Sequence, residues 1–255
     1  MQQFATFTRG DGPVVAVAMH AGHELRPGML AVCALTDAER LREEDPFTAE
    51  WTECAPTRIV VHRSRFEVDV NRPRASAVYR TPEDAWGLDL WRSPLSTVQV
   101  AGSLAEYDAF YAAVAEILDD RVAHCGGFVL LDIHSYNHRR GGPAAPCEDP
   151  TDNPDVNLGT GSMNRSRWAP VVDAFLDMLS DEGYDVRENV KFRGGNFAAW
   201  VHGRYPTGCV LAVEFKKTWM DEWTGEPDVV AHARIASTLG RVAQRLASEL
   251  ELVDL

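Results

Sequence analysis

The chain has 255 residues, 45% of them hydrophobic and 25% charged, with a formal net charge of -13, long enough for one large α/β domain or two small ones with a substantial core. An acidic chain without a basic stripe excludes nucleic acid and anionic membrane surfaces as partners, because a phosphate backbone is held by clustered Lys and Arg. No apolar run reaches the length that spans a bilayer, the N-terminus Met1-Gln2-Gln3-Phe4 lacks the basic and apolar regions of a signal peptide, and the expected compartment is the cytoplasm.

After Gly12-Pro13, the run Val14-Val15-Ala16-Val17-Ala18-Met19 ends in His20-Ala21-Gly22-His23-Glu24, which predicts a buried strand with histidines at its carboxyl edge. Residues 25–35 read as an irregular or partly helical connection broken at Pro27-Gly28. A short polar segment from Thr36 then delivers three consecutive acids, Glu43-Glu44-Asp45, stopped by Pro46. Taken alone, such acids form a solvated surface. Strand character resumes over 58–61. In 65–74, Phe66, Val68 and Val70 alternate with Glu67, Asp69 and Asn71, the pattern of a half-buried strand with one polar face. Arg65, Arg72 and Arg74 cluster around it; they suit bidentate recognition of a carboxylate, or surface ion pairing with the abundant acids.

Ser103-Leu104-Ala105-Glu106 matches a capping box, and Tyr107, Phe110, Tyr111, Val114, Ile117 and Leu118 follow at helical spacing, predicting a covering helix. It leads into Phe128-Val129-Leu130-Leu131-Asp132-Ile133-His134-Ser135-Tyr136, a short apolar run flanked by glycines. This predicts a strand buried on both faces, whose carboxyl end is where chemistry surfaces. Strand alternation puts Asp132 and His134 on one side, so the carboxylate orients the imidazole or both line one pocket. The stretch 138–165, rich in Gly, Pro, Asn and Asp, reads as a long functional loop after a strand end, where open α/β sheets place their ligands.

A second covering helix is expected over 167–181, with Trp168, Val171, Val172, Phe175 and Leu179 inward and Gly183 as its stop, then a strand over 184–186. A third buried strand, 209–215, carries Glu214 near its end, and a lone buried carboxylate needs a cation, a metal or a raised pKa. The final helix, 228–250, carries Ile235, Leu239, Val242, Leu246 and Leu250 as its core stripe. The αβ alternation predicts a single domain, 1–255, around a largely parallel sheet. Five cysteines with no C-x-x-C pair fit reduced thiols.

The strand ends thus offer His20 with His23 and Glu24, Asp69 with Asn71 and Arg72, Asp132 with His134, and Glu214. Two histidines plus a carboxylate make a catalytic zinc site with one position left for water, and a further carboxylate can take that water's proton as it attacks a carbonyl carbon.

At these residues the chain resembles the N-formylglutamate amidohydrolase family, itself related to the zinc carboxypeptidases. The matching pieces, in the family's order, are His20-Ala21-Gly22, Ser64-Arg65-Phe66-Glu67-Val68-Asp69-Val70-Asn71-Arg72-Pro73-Arg74, Asp132-Ile133-His134-Ser135-Tyr136, Phe192-Arg193-Gly194-Gly195, and Val213-Glu214-Phe215 with Trp219-Met220-Asp221-Glu222. The resemblance implies a three-layer α/β/α sandwich with a mixed, largely parallel sheet, zinc-carboxypeptidase-like (phosphorylase/hydrolase-like), with one zinc ion at the strand ends. It implies His20 and His134 as ligands, Asp69 orienting His20, Glu214 as general base, and Ser135 and Tyr136 in a strained turn that aims His134. For the carboxylate ligand it points to Asp45, with Glu44 next and His23 or Glu24 behind. Asn71 and Arg72, with Arg65 and Tyr136, are implied to hold the substrate, Arg65 also stabilising the oxyanion. The implied activity is hydrolysis of the amide bond of an N-acyl amino acid, N-formyl included, with a free carboxylate. A carboxypeptidase-like peptidase on short or peptidoglycan-derived peptides, and a silent ligand-binding relative, are the alternatives.

Overall fold

In the computed structural model, which describes residues 3–254, the apolar runs become strands of one sheet. They are β1 (Ala5–Thr8), β2 (Val14–Ala18), β3 (Thr57–Val61), β4 (Phe128–Tyr136), β5 (Val156–Gly159), β6 (Val186–Glu188) and β7 (Gly208–Lys216). Their order across the sheet is β1-β3-β2-β4-β7-β5-β6. The central pairs β3–β2, β2–β4 and β4–β7 are parallel, while β1 joins β3 and β5 joins β7 antiparallel. The sheet is mixed and largely parallel, and β2, β4 and β7 present their carboxyl ends at one edge.

The helices are α1 (Pro27–Leu30), α2 (Asp37–Glu43), α3 (Thr48–Trp51), α4 (Thr97–Cys125), α5 (Ala169–Asp181), α6 (Asn196–Arg204) and α7 (Val229–Leu250). Side-chain alternation along each strand divides the core in two. Val129, Leu131 and Ile133 of β4, with Cys209, Leu211, Val213 and Phe215 of β7, meet α3, α5 and α7. Phe128, Leu130 and Val210 meet α4 and α6 on the opposite face. Helices on both faces complete a three-layer α/β/α sandwich. On the α4/α6 face the next residues at the same period are Asp132 and His134 of β4, paired in register with Ala212 and Glu214 of β7. Polar groups therefore take over where the apolar filling ends.

Several local expectations change. Residues 66–71 form no strand: the backbone turns instead, Glu67 N–H to Ser64 O at 3.0 Å and Asp69 N–H to Ala77 O at 2.8 Å, and Glu67 and Asp69 of the polar set are buried with Phe66, Val68 and Val70. Glu67 is buried against Arg26 and Arg63, and Asp69 against His20. Helix α4 begins at a capping box of Ser96 and Gln99, not at Ser103. Its first turns expose Val98, which hides them from apolar periodicity, and Ser103 sits mid-helix holding Arg26 at 2.7 Å. The stretch 138–165 contains β5, and the strand expected over 184–186 lies at Val186–Glu188. Ser135 and Tyr136 continue β4 as extended strand and form no strained turn.

Candidate active site

His20 directly follows β2, and the chain returns to it through α2. The Asp45 N–H donates to the His20 carbonyl at 2.9 Å, which sets the Asp45 side chain among the strand ends. Asp45 Oδ2 then lies 3.5 Å from His20 Nδ1 and 3.0 Å from His134 Nδ1, and Ser135 Oγ donates to Asp45 Oδ1 at 3.3 Å. All three ligand-type side chains are buried, and one donor atom from each lies within 4.8 Å of the others. The outer nitrogens face acids: His20 Nε2 is 2.8 Å from Asp69 Oδ1, and His134 Nε2 is 2.9 Å from Asp132 Oδ1, off the hydrogen-bond line. The bond to Asp69 holds the His20 ring with its Nδ1 toward Asp45, and the Asp132 carboxylate lies behind the His134 ring, whose Nδ1 meets Asp45.

This donor set fits a divalent ion. Ligands about 2.0–2.1 Å from a tetrahedral ion stand about 3.3 Å apart, close to the two separations from Asp45. His20 Nδ1 is buried without a hydrogen-bond partner, an arrangement that costs free energy unless a cation or proton fills it. Two imidazoles and one carboxylate leave a fourth position free.

The electrostatics follow the same geometry. Burial opposes ionisation of Asp45 and Asp69, but His134 and His20 for the first, and His20, Arg65 and Tyr79 for the second, hold both carboxyls well below the ordinary range. Burial likewise opposes charge on His134, yet Asp132 and Asp45 outweigh it and raise its pKa well above the ordinary value. Glu214 behaves differently: burial, with Asp45 and Asp132 nearby, pushes it up to about 8. It accepts no hydrogen bond from the described residues, and it faces the same pocket as the cluster.

That pocket encloses about 390 Å³ and is lined by His20, Asp45, Asp132, His134 and Glu214, with Arg65, Asn71, Arg193 and Trp86 at its sides. Arg65 donates to Asp69 Oδ2 at 3.0 Å, lies 5.0 Å from the Trp86 ring centre, and keeps a buried Nε–H without a partner. Asn71 lines the wall while its Oδ1 accepts from Phe197 N–H at 3.0 Å. Tyr136 also lines it, but its hydroxyl donates to the Pro154 carbonyl. Arg72 stands apart from this lining: its guanidinium lies 4.2 Å from the Tyr79 ring centre and 3.8 Å from Asp69 Oδ2.

The other carboxylate candidates point elsewhere. Glu44 meets His23 Nδ1 at 2.5 Å and accepts from Ser64 Oγ, so both belong to a separate, partly buried contact. The Glu24 backbone bridges to 62–64, and its side chain is no part of the cluster. Sequence reasoning missed Tyr79, whose hydroxyl donates to Asp69, and Trp86, a half-exposed rim residue at φ 55°. It also left Arg193 without a role, although this exposed guanidinium lines the pocket with no carboxylate partner among the described residues. Tyr79 and Trp86 have no local signal beyond residue type, whereas Arg193 lies in the matching piece Phe192-Arg193-Gly194-Gly195.

A three-layer sandwich with a donor cluster and an unpaired acid facing one pocket at its strand ends is the build of a hydrolytic enzyme. The sequence profile of a family described as N-formylglutamate amidohydrolase matches residues 12–219, and the chain belongs to that family, whose members hydrolyse an amide bond. An N-formylglutamate deformylase of Pseudomonas aeruginosa is 28% identical over 242 residues, 87% of each chain. The crystal structure of an N-formylglutamate amidohydrolase from Ralstonia eutropha superposes with a TM-score of 0.80 at 17% identity, covering 97% of this chain and 98% of that one. A gene product of Agrobacterium tumefaciens superposes with a TM-score of 0.71 at 19% identity, covering 98% and 97%. These two structures share the fold.

Proposed function

We propose that the chain is a zinc-dependent amidohydrolase acting in the cytoplasm as one catalytic domain, releasing the amine from an N-acyl amino acid with a free carboxylate. N-formylglutamate is the first substrate to test. The observation that carries this reading is the convergence of His20, Asp45 and His134 from three separate segments, with Glu214 facing the same pocket. The five cysteines are all free, in keeping with a reducing compartment.

In this reading His20, Asp45 and His134 hold the ion, with Asp69 and Asp132 orienting the two rings. Zinc bound there supplies Lewis acidity toward the acyl carbonyl and acidifies a water. Glu214 accepts the proton of the attacking water and returns it to the leaving amine. Its raised pKa suits both steps, since a group near the working pH both takes and gives a proton. Arg65, charged and held by Asp69 at the side of the same pocket, stabilises the oxygen on which negative charge develops. Asn71 and Arg193, which line the pocket, take the substrate's carboxylate in this reading, while Arg72 stacks on Tyr79 outside that lining.

A panel of N-acyl amino acids offered to zinc-loaded protein, with released amine as the readout, tests the proposal. Turnover of at least one carboxylate-bearing member, and none of the matching amide lacking the carboxylate, is the expected result. Equal turnover of both would remove the carboxylate from the reading.

A further inference from the structure

The Lys217 ammonium is buried, with the residue only 1% exposed. An ammonium in such a place is costly unless its protons find acceptors. Here Nζ donates to the carbonyl oxygens of Arg42 at 2.6 Å and Glu44 at 2.7 Å. These carbonyls lie at the end of α2 and just beyond it, where helix carbonyls lack partners within the helix and a lysine is a favourable cap. Glu44 is the residue immediately before Asp45. The backbone N–H of Lys217 donates to the Tyr136 carbonyl at 3.0 Å, one residue beyond the β4–β7 ladder. Lys217 thus ties the turn that carries Asp45 to the two strands that carry His134 and Glu214, and the Asp45 N–H closes the same turn onto His20.

We propose that Lys217 is a positioning residue for Asp45: its clamp on the Arg42 and Glu44 carbonyls fixes the turn that presents this carboxylate to His20 and His134. The inference rests on the metal reading above. The role concerns how the ligand is presented and leaves the proton transfer at Glu214 untouched. A lysine serving only to fill space would lower the melting temperature of the metal-free protein and leave metal affinity alone.

The test titrates metal-stripped wild type, Lys217→Met and Lys217→Gln with Zn²⁺ against a chromophoric chelator, and measures kcat at saturating zinc. Lys217→Met weakens zinc binding about 10–100-fold, the usual cost of losing a group that orients a ligand. Lys217→Gln, which keeps an amide donor for the carbonyls, recovers part of the loss and serves in its own right where the Met variant does not fold. With zinc saturating, kcat stays within about threefold of wild type. In an Asp45→Ala background, Lys217→Met adds little further loss, because the two act through one ligand. Wild-type zinc affinity in the Lys217 variants, or an undiminished loss without Asp45, overturns the positioning role. Wild type that itself takes up no zinc removes the metal reading and this inference together.

Discussion

Glu214 is the residue on which turnover depends most directly in this account. Glu214→Gln conserves volume and polarity but accepts no proton, so kcat is expected to fall at least about 10²–10⁴-fold, the usual share of general acid–base assistance, with zinc content unchanged. Steady-state kinetics beside metal analysis checks both halves. His134 gives a second prediction. Its pKa is raised in the folded protein by Asp132 and Asp45 against burial, so in the metal-free state its charged form contributes stability below the unfolded value of about 6.5. That contribution is lost as pH rises through the folded value. A metal needs the neutral ring, so zinc must displace this proton. Zinc affinity is therefore expected to strengthen as pH rises from 6 to 8, with proton release; calorimetry in buffers of different ionisation enthalpy reads it, and a flat profile contradicts it. At this scale the sequence shows the histidines because each terminates an apolar run, and Asp132 because strand alternation sets it beside His134. It does not separate Glu43, Glu44 and Asp45, which look alike locally. Only the fold turns Glu43 toward Arg140 and Glu44 toward His23 and Ser64, leaving Asp45 among the histidines.

Among the elements, the parallel strands are the most legible, because burial on both faces writes them as unbroken apolar runs. The segment 66–71 shows the reverse case. Its alternation is genuine, but Glu67 pairs with Arg26 and Arg63, Asp69 with His20 and Arg65, and Asn71 accepts from the Phe197 N–H, so the period of two reflects polar contacts in a turn and not a sheet face. Helix α4 is legible in its middle and not at its start, where capping outweighs periodicity. Ser96 Oγ accepts from Gln99 N–H while the Gln99 side chain reaches back to Ser96. Ser96→Ala is accordingly expected to cost about 1 kcal/mol, read as a fall of about 2–4 °C in melting temperature for a chain of this size. An unchanged melting temperature would sink the assignment of the cap. Site residues held by long-range contacts leave no such trace. Lys217 grips backbone carbonyls about 175 positions away in the chain, and nothing in its neighbours announces that.

For the molecule as a whole, the strand ends gather several buried ionisable groups that are only partly reconciled with one another. Asp45 and Asp69 are held ionised, His134 is held charged, Glu214 is pushed toward neutrality, and His20 Nδ1 is left without a partner. A dication at the cluster resolves most of this at once, so in the proposed reading zinc is expected to stabilise the fold. With zinc at about 1,000 times its dissociation constant, binding adds about 4 kcal/mol to stability. Melting temperature should rise with zinc and fall back with chelator, while a double variant lacking His20 and His134 should not respond. The resemblance carries the fold and family over most of the chain, and the structure brings Asp45, rather than Glu44, to His20 and His134. The most direct test is a zinc titration of metal-stripped protein, following hydrolysis of N-formylglutamate or of whichever N-acyl amino acid proves best. The account predicts that activity rises linearly and breaks at one equivalent; full activity from stripped protein, with no response to added zinc, would contradict it.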